Sequence, residues 1–317
     1  MTAARDAIRS VEILDELSPQ AAQAVFDLIE EAAEHDGQSA VSEQGRLQLR
    51  RRREGVRHLL LRQGGELAGY AQLEDTDPVE APAAELVVRP ALRHRGHGRA
   101  LGQELLALSG RRLRVWAHGG HPAARHLSGA LGLALFRELR QMRRPLDRGP
   151  ELPEPVLPRG VTVRTFVPGK DDSAWLAVNA AAFSHHPEQG SWTREDLADR
   201  FAEPWFDPEG FFLAVRGGGE EGSEGEGGGD GERVVGFHWT KIHKQEQLGE
   251  VYVLGVHPSE QGTGLGKALT AIGLRHLALT QPTAMLYVDA DNVPAVTVYE
   301  RLGFTVHDVD LMYRTET

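Results

Sequence analysis

With 317 residues, 40% of them hydrophobic, the chain is long enough for two cores of ordinary size rather than one. It has no cysteine, which excludes disulfides, thiolate metal sites and a cysteine nucleophile. The formal charge of −11 argues against nucleic acid as a partner, but much of it comes from one run, Glu220, Glu221, Glu224, Glu226, Asp230 and Glu232. The opening Met1-Thr2-Ala3-Ala4-Arg5 is not the start of an apolar leader, and no apolar stretch approaches the length of a membrane span. A cytoplasmic, monomeric protein acting on a small molecule is the expectation.

In chain order, the basic run Arg50 to Arg53 reads as a solvated helix face. Glu66-Leu67-Ala68-Gly69-Tyr70 reads as a short strand with a glycine before an aromatic. Leu86-Val87-Val88 is a strand that runs into a glycine-rich turn, after which a helix opens. The pairs His94-x-x-His97 and His118-x-x-His121 fall in loops without neighbouring carboxylates and read as solvated side chains, so no metal is expected. Residues 145–160 contain Pro145, Pro150, Pro153, Pro155 and Pro158, which neither a helix nor a central strand tolerates. The division into domains 1–151 and 152–317 is placed there.

In the second half, 161–166 is an opening strand, 172–183 a helix, and 193–201 a helix capped by Thr193 with Asp196 three residues on. Strands 211–215 and 234–239 flank 217–231, a glycine and acid insert with no apolar residue, read as a disordered hairpin tip. A strand at 285–289 and a helix at 293–302, closed by Gly303, complete the pattern. Each half is α+β with a mixed sheet.

The halves repeat. Leu86-Val87-Val88-Arg89-Pro90-Ala91-Leu92-Arg93-His94-Arg95-Gly96-His97-Gly98-Arg99 aligns without a gap on Leu254-Gly255-Val256-His257-Pro258-Ser259-Glu260-Gln261-Gly262-Thr263-Gly264-Leu265-Gly266-Lys267. Arg233-Val234-Val235-Gly236-Phe237 likewise matches the earlier 66–70. Glycines between a strand and a helix let the backbone approach a ligand closely. The first helical turn adds unpaired N–H groups and the positive end of the dipole, so a pyrophosphate fits there.

These turns resemble the Q/R-x-x-G-x-G/A signature of the GNAT superfamily of N-acetyltransferases, and Asn292-Val293-Pro294-Ala295-Val296-Thr297-Val298-Tyr299 with Gly303-Phe304 is similar to its last motif. The resemblance implies two tandem GNAT-type domains, each a mostly antiparallel mixed sheet flanked by helices. It also implies acetyl-CoA, one molecule per domain, held by 86–88, 93–99, 254–256, 261–267 and 292–297. In the first half Leu127 stands where the second has Tyr299. Three further segments, Phe183 to Gly190, Trp239 to His243 and Gly249 to Pro258, resemble the mycothiol synthase family, tandem acetyltransferases of actinobacteria. That family acetylates the cysteinyl amine of Cys-GlcN-Ins in the last step of mycothiol biosynthesis.

Amine acetylation needs a proton acceptor for the amine and a donor for the departing thiolate. Glu250 begins an otherwise apolar strand and is the candidate base; alternation places Glu250, Tyr252 and Leu254 on one face, with Val251 and Val253 on the other. In the first half Pro82 aligns with Glu250, and Glu85 falls on the opposite face, so that copy is expected to be degenerate. Tyr299 is the candidate acid. The resemblance also implies substrate contacts from Asp36, where the family can have the longer Glu, and from Glu188, Lys241, Glu250 and Tyr287. Acetyl transfer to another amine, or acyl-CoA binding without catalysis, are the competing readings.

Overall fold

The computed structural model describes residues 9–77, 79–184, 187–217 and 232–316. The insert read at 217–231 lies outside them apart from Gly217. Two compact units form, and they are interleaved rather than consecutive: 1–140 with 289–291 and 308–317, and 141–288 with 292–307. The sequence suggests a single cut near residue 152; here residues 141–151 of the first half lie in the second unit, and most of the last strand of the second half lies in the first.

The first unit begins with β1 (Arg9–Leu14), α1 (Pro19–Asp36), α2 (Glu43–Leu47), β2 (Val56–Gln63), β3 (Glu66–Glu74) and β4 (Ala83–Val88). It continues through α3 (His97–Leu108), β5 (Arg114–Ala117), α4 (Pro122–Leu131) and the start of β6 (Leu133–Pro145), and it ends with most of β12 (Thr305–Thr315). Its sheet runs β1-β2-β3-β4-β5-β12. All neighbours are antiparallel except β4 and β5.

Helix α1 starts where Ser18 accepts from the Ala21 N–H and Pro19 presets φ; it stops at Gly37, whose φ of 78° suits glycine. Its stripe of Val25, Leu28, Ile29 and Ala32 is fully buried on Leu60, Tyr70 and Val87. Each larger side chain there stabilises the unit by about 1.5–3 kcal/mol. The other face of the sheet packs on α3 through Leu101 and Leu105.

The second unit has β7 (Val161–Thr165), α5 (Asp172–Ala182), α6 (Pro187–Gly190), α7 (Arg194–Phe201), β8 (Phe211–Arg216), β9 (Arg233–His243) and β10 (Leu248–Val256). Helix α8 (Leu265–Leu277), β11 (Thr283–Asp289) and α9 (Val293–Arg301) complete it, with the end of β6 beside β11. Its sheet runs β6-β11-β10-β9-β8-β7. The expected Thr193 and Asp196 capping box opens α7. One face carries an aromatic core of Phe166, Trp175, Phe211, Phe237 and Trp239 under α5 and α7. The other buries Leu274, Leu277, Leu286 and Val296 under α8 and α9.

Candidate active site

The two glycine-rich turns fold alike. Gly96 and Gly264 are the N-caps of α3 and α8 with φ of 81° and 90°, and neither helix has a side-chain cap, unlike α1, α7 and α9. A Cβ on Gly262 or Gly264 would meet no atom within 4 Å. The space outside the turn is therefore open to a ligand, and the first N–H groups of α8 face an anion without competition from their own chain. In the first unit the turn is tighter. His94 adopts φ 61° where the second copy has Gly262, and a Cβ on Gly98 would lie 3.3 Å from Leu127 Cδ2.

Beyond the turn, the sheet opens. Parallel pairing of β10 with β11 ends at Val251 and Leu286, although β10 continues to Val256 and β11 to Asp289. Leu254, Gly255 and Val256 stay paired with β9, so their other edge lines the opening. In the first unit β4 and β5 likewise pair only at Ala83 and Ala84. The open turn and the parted strands together suit the pyrophosphate and arm of acetyl-CoA. At the far side Asn292 accepts from the Ala295 N–H and thereby caps α9. Val293 is exposed.

A β-bulge at Tyr252 alters the expected alternation. Glu250 opposes Lys241 and Val251 opposes Thr240, but Val253, not Tyr252, opposes Trp239. Tyr252 and Val253 consequently both join the aromatic face, and Leu254 turns to the α8 face, away from Glu250. The bulge also changes the comparison between units: Ala83, opposite Glu74, is the counterpart of Glu250, rather than Pro82. Glu85 lies on the same face as that counterpart, beside Val87 and under the start of α2, not on the opposite one.

Glu250 is buried, 7% exposed. Its Oε2 is 2.6 Å from His243 Nε2, while Oε1 has no hydrogen bond among the described residues. Lys241, also buried, holds Nζ 4.4 Å from the Trp205 ring centroid and 5.1 Å from that of Tyr252, within cation–π range. The Tyr252 hydroxyl accepts from Arg200 Nε at 2.8 Å, and that guanidinium lies 3.6 Å over Trp192. Trp205 Nε1 is buried without a partner among the described residues. Tyr287 is on this face too, two residues beyond Met285, the register partner of Glu250, and its hydroxyl accepts from Gln141 at 2.8 Å. The structure thus gathers Lys241, Glu250 and Tyr287. The Glu188 side chain is outside the described residues, although its backbone is in α6.

Tyr299 approaches from the other face, packed with the α9 core and edge-on to Phe304 at 5.8 Å. Burial pushes its phenol up to about 12. Asp36 belongs to the first unit, where Arg93 grips both of its oxygens at 2.7 Å, donates from Nε to the Val88 carbonyl, and holds the carboxyl down at about 2. These two expected ligand-binding residues are therefore each other's partners.

His118 corrects another expectation. It is held, largely out of solvent, between Glu85 Oε1 at 2.8 Å and Asp310 Oδ2 at 2.9 Å, and Asp310 also accepts from the Gly119 N–H and Gln38. Burial opposes its charge, but hydrogen bonds and charge from Asp310 and Glu85 prevail and raise it to about 10. His97 is buried as well, against Gln63. Strand alternation in the sequence places Tyr252 on the face of Glu250; His243, Trp205, Arg200 and Trp192 are not singled out there, and strand register and the segments around α7 bring them to this face.

Two parted-strand folds, each with a glycine turn before a helix, define tandem acetyl-CoA-dependent N-acetyltransferases of the GNAT type. The Acetyltransferase (GNAT) family model matches residues 22–132 and the FR47-like protein model residues 238–313. A mycothiol acetyltransferase of Streptomyces avermitilis is 71% identical over 98% of this chain and 96% of its own length. Those of Streptomyces bingchenggensis (68%; 98% and 97%) and Thermomonospora curvata (51%; 94% and 94%) are similar throughout as well. The chain belongs to the mycothiol acetyltransferase family. The fold is shared with a tandem GNAT protein from the clavulanic acid biosynthesis pathway, at 18% identity, TM-score 0.71 and 98% of each chain. It is shared too with a GCN5-related N-acetyltransferase from Sphaerobacter thermophilus, at 24%, 0.66, and 99% and 97%. Among the described residues no helix is long and apolar enough to cross a membrane.

Proposed function

We propose that the second unit transfers an acetyl group from acetyl-CoA to the cysteinyl amine of Cys-GlcN-Ins, the last step of mycothiol biosynthesis. The observation that carries this is the buried Glu250 with one oxygen held and the other open, on a face shared with Lys241 and Tyr287 and next to the strand opening. Acetyl-CoA supplies a thioester already activated toward amines. Glu250 Oε1 takes a proton from the attacking amine; the free backbone edge of Leu254 to Val256 offers N–H groups to the oxyanion; Tyr299 gives its phenolic proton to the thiolate. Lys241, Tyr287 and Glu188 are suited to the sugar and inositol hydroxyls.

The first unit, in this reading, binds a second acetyl-CoA and does not turn it over. Arg93 to Gly98 preserve the turn, but Ala83 replaces the base and Leu127 the acid. The test is to supply purified protein with acetyl-CoA and Cys-GlcN-Ins and to follow free CoA and the N-acetylated product. Acetylation of an aminoglycoside or peptide amine in preference to Cys-GlcN-Ins would overturn the substrate assignment.

A further inference from the structure

Among the described residues, the one hydrogen bond to the Glu250 carboxylate comes from a histidine on the partner strand, beside the hairpin turn. His243 is the last residue of β9 and pairs with Leu248, the first residue of β10. Its ring therefore reaches back along the face to Glu250. The histidine side chain is 23% exposed and the glutamate 9%, so the imidazole occupies the boundary between solvent and the buried base.

We propose that His243 is a positioning residue for Glu250, an inference that rests on Glu250 being the base. The Nε2–H of His243 donates to Oε2, which fixes the carboxylate plane and leaves Oε1 turned to the acceptor. The lone pair of the amine nitrogen forms the new N–C bond to the thioester carbonyl carbon, and an N–H proton passes to Oε1 with the N–H electron pair left on nitrogen; collapse of the oxyanion then breaks the C–S bond, and the CoA thiolate takes the proton of Tyr299. Without His243 the carboxylate is free to rotate about the terminal bonds of a flexible side chain. A misplacement of about 1 Å at a reacting group costs about 100-fold in rate. The Lys241 ammonium on the same face lies against the rings of Trp205 and Tyr252.

The test compares His243→Ala, His243→Gln, Glu250→Gln and the double variant His243→Ala with Glu250→Gln in the full chain. His243→Ala should lower kcat about 10- to 100-fold, with the KM for acetyl-CoA within about twofold of the wild-type value. His243→Gln should recover most of that loss, since its amide nitrogen can donate where Nε2 does. The double variant should be no slower than Glu250→Gln alone. If His243→Ala does not fold, His243→Leu fills the ring's space without a donor and takes its place. Unchanged kcat in the Ala or Leu variant, failure of Gln to rescue, or losses that multiply in the double variant would each overturn the positioning role. A Glu250→Gln enzyme with wild-type kcat would instead remove the base assignment itself.

Discussion

At the scale of single residues, the catalytic reading makes opposite demands on its two groups. A base must be ionised, and Glu250 is a carboxylate whose hydrogen-bonded oxygen faces a donor. An acid must keep its proton, and burial moves the Tyr299 phenol from its ordinary 10 to about 12. Tyr299 is consequently protonated throughout the working range, so kcat should stay level from pH 8 to 10 rather than fall through loss of the acid. Tyr299→Phe should depress kcat by about 10²-fold or more and leave acetyl-CoA affinity nearly intact. Steady-state CoA release across that pH range measures both. A wild-type decline centred near pH 9, absent in Tyr299→Phe, would show a phenol with a much lower pKa than the structure gives it.

At the scale of elements, the turn before α8 depends on backbone geometry. Gly264 at φ 90° tolerates no Cβ without strain of about 1–3 kcal/mol, although space for the atom exists. Gly264→Ala should therefore lower the melting temperature slightly and raise the KM for acetyl-CoA several-fold with kcat less affected. The triad Glu85, His118 and Asp310 ties β4 and the segment after β5 to the C-terminal strand within the first unit. His118→Ala leaves two buried carboxylates without their cation and should cost about 3–5 kcal/mol. Because the folded pKa is raised from 6.5 to about 10, the contribution of His118 is complete below pH 6.5 and is lost as pH climbs to about 10. Denaturant midpoints of wild type and variant should thus converge between pH 7 and 10; a constant gap would contradict the triad's charge. The elements and turns were legible in the letters, since Thr193 with Asp196, the prolines of 145–160 and the paired glycine turns each report local geometry. The bulge at Tyr252 was not, because an inserted residue in an apolar strand leaves the alternation of letters intact. His118 and His243 were missed for a related reason: their partners Asp310 and Glu250 arrive through strand pairing, not through sequence proximity.

At the scale of the whole molecule, two folds of one kind follow each other, and each unit includes residues from both halves of the chain, 308–317 in the first and 141–151 in the second. Under the proposal, calorimetry should count two acetyl-CoA molecules per chain. Gly96→Glu, which blocks the turn opening α3, should remove one and spare much of the turnover. The most direct measurement is acetylation of Cys-GlcN-Ins by the double variant Glu250→Gln with Tyr299→Phe, its fold verified by retained acetyl-CoA binding. General acid and base help is worth about 10²- to 10⁴-fold for each group, so product formation should fall by at least 10²-fold. Turnover within a few-fold of wild type would place catalysis in the first unit and contradict the account.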